Sequence, residues 1–218
     1  MDVLRVKKEV LPNTFIIEYK DREMLATRSN YPPHYGEKKI GEYREWIPFR
    51  SKFAGMILNN HIPEIRKDFK LLYLGTATGT TASHLSDILS RGIIYGVEYS
   101  AIPFKKFLEL AMERENIIPL LENAEKPENY SGMVEEVDFI YQDISQRNQL
   151  EIFERNTEFF LRRRGEGIIM VKARSIDSTA EPSSVFKKVL MEMEIFDILK
   201  HGSLEPYHKD HIFVHIRK

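Results

Sequence analysis

The sequence predicts an α/β fold: an open, mostly parallel sheet with helices on it, ending in an antiparallel C-terminal hairpin and preceded by a small β-rich unit. Three observations carry that expectation. From residue 70 onward, short apolar runs alternate with stripes of helical period. The first run, Leu71-Leu72-Tyr73-Leu74, enters a small-residue turn, Gly75-Thr76-Ala77-Thr78-Gly79, and then a stripe of Ala82, Leu85, Ile88 and Leu89. The last two runs, residues 195–199 and 211–216, are joined by a loop too short for a parallel crossover, so they must pair antiparallel.

Taken in order, residues 1–45 read as a small β-rich accessory unit and residues 46–218 as the main domain. Runs 14–19 and 23–27 flank Lys20-Asp21-Arg22 and predict a hairpin. Tyr31-Pro32-Pro33-His34-Tyr35-Gly36 is a loop by its Pro and Gly content. Ser51 is placed to cap a helix whose apolar face holds Phe53, Met56 and Ile57. Arg50 and Lys52 beside that cap oppose the helix dipole, an unfavourable placement that invites a functional reason. Strands are expected at 71–74, 93–97, 117–121, 138–142 and 167–171, with helices beginning near Thr80, Pro103, Gln146 and Pro182. Phe104, Phe107, Leu108 and Ala111 form one core stripe; Phe186, Val189, Leu190 and Met193 form another. Gly165 is expected to close the helix before it, with Arg162, Arg163 and Arg164 favouring that helix C-terminus.

Composition excludes several classes. The 218 residues contain no cysteine, so disulfides and thiolate-held metals are absent, and no metal site is expected. No apolar run approaches the roughly 20 residues that span a bilayer, and the N-terminal residues lack a signal-peptide core, so a cytoplasmic protein with no membrane partner is expected. The 32 basic and 33 acidic residues give a net charge of −1. A protein that grips nucleic acid unaided is usually more basic.

The turn is the first candidate for chemistry. Gly75, Ala77 and Gly79 keep bulk out of it, and free N–H groups at the following helix start meet polar ligand atoms. An ordinary strand-to-helix turn looks the same, and Gly-x-Ala-x-Gly alone is a weak signal. Glu98, at the end of the next strand, stands where nucleotide-binding sheets use an acid for ribose hydroxyls. Further polar residues follow other strands at the same C-terminal edge: Glu122-Asn123-Ala124, Gln142-Asp143-Ile144-Ser145-Gln146, Lys172, and His211 opening the last strand. Each alone reads as a solvated or capping residue; their shared edge is the signal. A parallel sheet ending in an antiparallel hairpin is typical of S-adenosylmethionine-dependent methyltransferases and untypical of dinucleotide dehydrogenases.

Specific motifs narrow this further. Tyr35-Gly36-Glu37-Lys38, Tyr43-Arg44-Glu45-Trp46, Phe49-Arg50-Ser51-Lys52, Tyr95-Gly96-Val97-Glu98, Ile140-Tyr141-Gln142-Asp143, Val171-Lys172-Ala173-Arg174-Ser175 and residues 204–211 occur in one order over nearly the whole chain. In these the chain resembles the archaeal fibrillarin-like enzymes. The resemblance implies a Rossmann-like methyltransferase that uses S-adenosyl-L-methionine to methylate ribose 2′-hydroxyls of rRNA, with tRNA as a further candidate substrate. It implies work inside a box C/D particle with guide RNA, target RNA, a Nop-family scaffold protein and a kink-turn-binding protein. It places the catalytic set on Lys52, Asp143, Lys172 and His211. It places the cofactor set on Gly75, Ala77, Gly79, Thr80, Thr81, Glu98, Tyr99, Asn123, Ala124, Asp143, Ile144, Ser145 and Gln146, with Tyr99 against the adenine. Asn123 stands where the family usually has Asp, so a charge is missing while an acceptor oxygen remains. Two alternatives keep the fold: a non-catalytic scaffold subunit, for which Asn123 is the only support, and a methyltransferase acting on a protein glutamine.

Overall fold

The computed structural model describes residues 4–218; the first three residues of the expected N-terminal unit lie outside the described residues. Strands β1 (Arg5–Leu11), β2 (Thr14–Tyr19), β3 (Arg22–Arg28), β4 (Lys39–Ile40) and β5 (Tyr43–Glu45) form an antiparallel sheet ordered β1-β2-β3-β5-β4. The β2–β3 hairpin turns on Lys20 and Asp21, both at positive φ, and is one residue tighter than expected because Arg22 already pairs with Tyr19. The polar, Lys-rich β1 gives no strand signal in the sequence; its residues Arg5 to Glu9 are exposed at a sheet edge. The cluster of this sheet alone is small, built on Phe15, Ile17, Met24, Ala26 and Tyr43. Leu11 and Leu25 instead join the core of the main domain.

Helix α1 (Lys52–Leu58) buries Phe53, Met56 and Ile57, and the Ser51 hydroxyl accepts from the Ala54 N–H at 3.4 Å. There follow β6 (Lys70–Leu74), α2 (Thr80–Ile88), β7 (Ile93–Glu98), α3 (Ala101–Met112), β8 (Ile117–Leu121), β9 (Val137–Gln142), α4 (Gln149–Phe160), β10 (Leu161–Lys172), α5 (Ala173–Ile176), α6 (Pro182–Glu192), β11 (Asp197–Ser203) and β12 (His211–Arg217). The main sheet is ordered β11-β12-β10-β9-β6-β7-β8. Strands β8, β7, β6, β9 and β10 are parallel, and β12 runs antiparallel between β10 and β11. The order reverses between β6 and β9, which opens a crevice at their C-terminal ends.

Five local expectations are corrected. Helix α4 ends at Phe160, and Arg162 to Gly165 belong to an irregular start of β10, where Leu161 already pairs with Val137. The cation at the α4 C-terminus is Lys218, whose ammonium donates to the carbonyls of Thr157, Glu158 and Leu161. This distant lysine does the work that sequence proximity assigned to the arginines. Leu108 is exposed, and Leu110 takes its place in the core beside Phe107. Helix α4 starts at Gln149, three residues late, and α3 starts at Ala101, two residues before the proline. The penultimate strand starts at Asp197, since residues 193–195 form a 3-10 turn.

Candidate active site

The crevice holds two adjoining clefts. The first, about 240 Å³, is lined by Gly75, Ala77, Glu98, Tyr99, Asn123, Ala124, Asp143, Ile144, Ser145 and Gln146, all expected, and by Val97, Ser100 and Glu122. The second, about 280 Å³, is lined by Lys52, Thr80 and Thr81 with Arg50, Tyr73, Thr76 and Thr78. Both clefts share Gly75, Ala77, Asp143 and Ser145 as a common wall.

The turn is held by its neighbours. The Asp143 N–H donates to the Leu74 carbonyl at 2.9 Å, which ties the ends of β6 and β9. Gly75 has φ +82°, and a Cβ there would stand 2.7 Å from the Asp143 carbonyl oxygen. Gly79 borders neither cleft, and its side-chain position is filled by packing. Its φ is +93°, and a Cβ would meet Phe107, Leu110 and the Tyr35 hydroxyl within 2.9 Å. Packing demands that glycine. The Tyr35 hydroxyl in turn donates to the Thr78 carbonyl at 2.5 Å, and burial holds this phenol above its ordinary range.

Glu98 uses both carboxylate oxygens to brace the first cleft: one accepts from the Ala77 N–H, the other from the Ser100 N–H, each at 2.8 Å. Each oxygen keeps a second lone pair for a ligand hydroxyl. Tyr99 stands 70% exposed at the rim, a flat face without cover. The Asn123 side-chain oxygen accepts from the Glu125 N–H at 2.9 Å, so it is fixed with one lone pair left. The Thr76 hydroxyl, buried at the wall of the second cleft, has no hydrogen-bond partner among the described residues.

The four expected catalytic residues converge from α1, β9, β10 and β12. The Lys52 ammonium meets the Asp143 carboxylate at 2.6 Å, which answers why a cation stands at the α1 N-terminus: the ion pair offsets the helix dipole. Lys172 and His211 face each other in the β10–β12 register. The Lys172 ammonium has no hydrogen bond or ion pair among the described residues. Burial first, and the Lys52 charge besides, depress the His211 imidazole below its ordinary range, against the pull of the Lys209 carbonyl and Asp143. His211 is therefore neutral near pH 7. Its Nδ1 lies 2.6 Å from the Lys209 carbonyl oxygen, which only an N–H can satisfy, so Nε2 carries the free lone pair. Tyr73 beneath the second cleft stays a neutral phenol because burial holds it well above the usual range.

Arg50, flagged in the sequence without a role, and Thr76 of the turn both line the second cleft, whereas sequence reasoning missed Tyr73 as a cleft residue. Tyr73 is a strand residue two positions before Gly75, and only the alternation of β6 could have flagged it. Among the described residues no group of three or more His, Asp or Glu is placed to hold a metal ion, and no helix is long and apolar enough to cross a membrane.

The strand order, its antiparallel β12 and the crevice at its reversal define the S-adenosylmethionine-dependent methyltransferase class of fold. Within that class the chain belongs to the fibrillarin family, whose model matches residues 6–218. It is 61% identical over 209 residues to the fibrillarin-like rRNA/tRNA 2′-O-methyltransferase of Archaeoglobus fulgidus, covering 95% of this chain and 98% of that one. A solved fibrillarin/Nop5p complex superposes with a TM-score of 0.93 at 60% identity, over 96% of this chain and 99% of that one. Aeropyrum pernix fibrillarin, solved with natively bound S-adenosyl-L-methionine, gives 0.87 at 36% identity, over 99% and 100% of the two chains.

Proposed function

We propose that this protein methylates ribose 2′-hydroxyls of rRNA and tRNA with S-adenosyl-L-methionine, as the catalytic subunit of a box C/D guide-RNA particle. The observation that carries the reading is the crevice: the two clefts meet at Asp143, whose carboxylate holds Lys52 at 2.6 Å, beside the Lys172–His211 register pair. High identity to named 2′-O-methyltransferases over nearly the full chain supports it. So does the resemblance to the fibrillarin that was solved with Nop5p, which favours a Nop-family scaffold as partner. Guide RNA and a kink-turn-binding protein complete the proposed particle. A net charge of −1 fits a subunit that receives its RNA from partners. Residues 1–45 are read as an accessory unit on a 46–218 catalytic domain, supported by the separate sheet that ends at Glu45.

The residues fit the cofactor. Tyr99 offers an uncovered ring for an adenine, Glu98 a braced acceptor for ribose hydroxyls, Asn123 an acceptor for an amino group, and Thr76 an orphaned hydroxyl for a polar tail. When bound, S-adenosylmethionine supplies an electrophilic methyl group. The chain's own residues then have two tasks. Lys172, uncommitted among the described side chains, donates to the 2′-oxygen and fixes its approach. His211, neutral with Nδ1–H bound to Lys209, accepts the hydroxyl proton at Nε2 as the new bond forms. Lys52 and Asp143 hold each other and so fix the wall against which the ribose lies. Alignment of this kind is worth several kcal/mol, with about 7–11 kcal/mol as the upper range in model reactions.

The test is transfer of labelled methyl to a short target RNA in the assembled particle, with a target carrying a 2′-deoxy sugar at the guided nucleotide alongside. Label in the ribo target alone is expected. Equal label in both removes the ribose mechanism. RNase-resistant label would favour the protein-glutamine reading. No label with intact cofactor binding would favour a scaffold.

A further inference from the structure

Phe49 is 65% exposed, one of the more exposed large apolar side chains on the molecule, and it immediately precedes Arg50 of the second cleft. Single exposed apolar residues are ordinary; this one is built in. Its ring packs edge-on against Tyr207, centroids 5.2 Å apart and planes at 73°. The two loops that carry the rings are locked together. His208 Nε2–H donates to the Pro48 carbonyl at 2.8 Å, and the Asn59 amide donates to the carbonyls of Ser203 and Glu205 at 2.9 Å each. Tyr207 also lies against Gly55 of α1 so closely that a Cβ there would stand 3.3 Å from it. The result is a rigid aromatic step with one open face.

The step is continuous with the reacting groups. Phe49 precedes Arg50, which lines the second cleft, and stands three residues before Lys52; Tyr207 stands four residues before His211. Resting on the reading of this crevice as a ribose 2′-O-methyltransferase site, the geometry points to Phe49, backed by Tyr207, as the surface that stacks a nucleobase of the target RNA at or next to the methylated nucleotide. A nucleobase is joined to the reacting ribose through one glycosidic bond, so it lies near Lys52 and His211, and the step's neighbour His208 feels the charges of Lys52 and Asp143. A protein partner seated on Phe49 would cover the entrance that the RNA needs. Aromatic stacking is sequence-tolerant, since every base has a π-face, and that suits an enzyme whose targets differ in sequence. A rigid step adds little ordering cost on binding.

The experiment uses the assembled particle and a target RNA with 2-aminopurine at the guided nucleotide, and a second RNA with it one nucleotide 3′. Stacking quenches 2-aminopurine fluorescence whether or not methyl transfer occurs. Wild type is expected to quench one of the two probes. Phe49→Ala is expected to abolish that quenching and raise the target-RNA KM about 5- to 150-fold, the span of base–aromatic stacking. Its cofactor Kd and circular dichroism should stay unchanged, and Phe49→Trp should restore both signals. Unchanged quenching and KM in Phe49→Ala overturns the inference, as does loss of the Nop-family subunit from the particle, which would make Phe49 a protein contact. Failure of wild type to transfer methyl while quenching persists overturns the reaction assignment and leaves the stacking step standing.

Discussion

Asp87 is the charge on which the two sheets meet, and its replacement by asparagine tests the account of how they are joined. One carboxylate oxygen accepts from Thr27 (2.8 Å) and Arg44 (2.9 Å), the other from Ser29 (2.8 Å) and Arg114 (2.8 Å). Thr27, Ser29 and Arg44 come from the N-terminal unit, Asp87 and Arg114 from the main domain. Arg44 is also held by Glu37, so two buried cations face two buried anions. In Asp87→Asn an NH₂ group must face two of the four donors, and one buried guanidinium charge loses its partner. Removing one member of a buried ion pair costs about 3–5 kcal/mol. For a chain of this size each kcal/mol moves Tm by roughly 2–4 °C, so a fall of about 6–20 °C is expected. Differential scanning calorimetry with urea titration measures it. Arg114→Met combined with Asp87→Asn should recover part of the loss, since the second change removes the stranded charge. A single-variant loss below about 1 kcal/mol, or strict additivity in the double variant, would refute the argument that this cluster welds the sheets.

Three further outcomes follow from the site. Gly75→Ala forces a Cβ to 2.7 Å from a backbone oxygen at φ +82°, so cofactor binding by calorimetry should be lost or the fold destabilised by about 1–3 kcal/mol. Asn123→Asp restores an anionic acceptor at a fixed position and should tighten the cofactor Kd several-fold; no change would mean that this oxygen does not meet the ligand. His211 accepts a proton only when neutral and its pKa lies below the ordinary 6.5, so the single-turnover rate should be flat above about pH 6.5 and fall only at lower pH; a rate already falling between pH 8 and 7 would remove His211 as the acceptor. Burial also depresses His84, aided by Arg44 and Arg114; its contribution to stability is full above about pH 6.5 and is lost as pH falls, which Tm measured from pH 7.5 to 5 will show.

The sequence by itself determined the parallel sheet, the glycine turn, the helix capped by Ser51 and the terminal hairpin, because each is written in local periodicity and turn chemistry. Strand order put several polar residues on one sheet edge, but the cofactor set itself came from the family resemblance, and ten of its residues line one cleft. Tertiary structure decided what local pattern does not encode. Lys218, not Arg162 to Arg164, meets the α4 C-terminus, because a helix end accepts whichever cation the chain brings back to it. Gly79 is required by the packing of Phe107, Leu110 and Tyr35 around it. Lys52 meets Asp143 across 91 residues, and Asp87 gathers donors from both sheets. Such pairings depend on where whole elements pack, and charge and volume are balanced only after that packing brings distant side chains together.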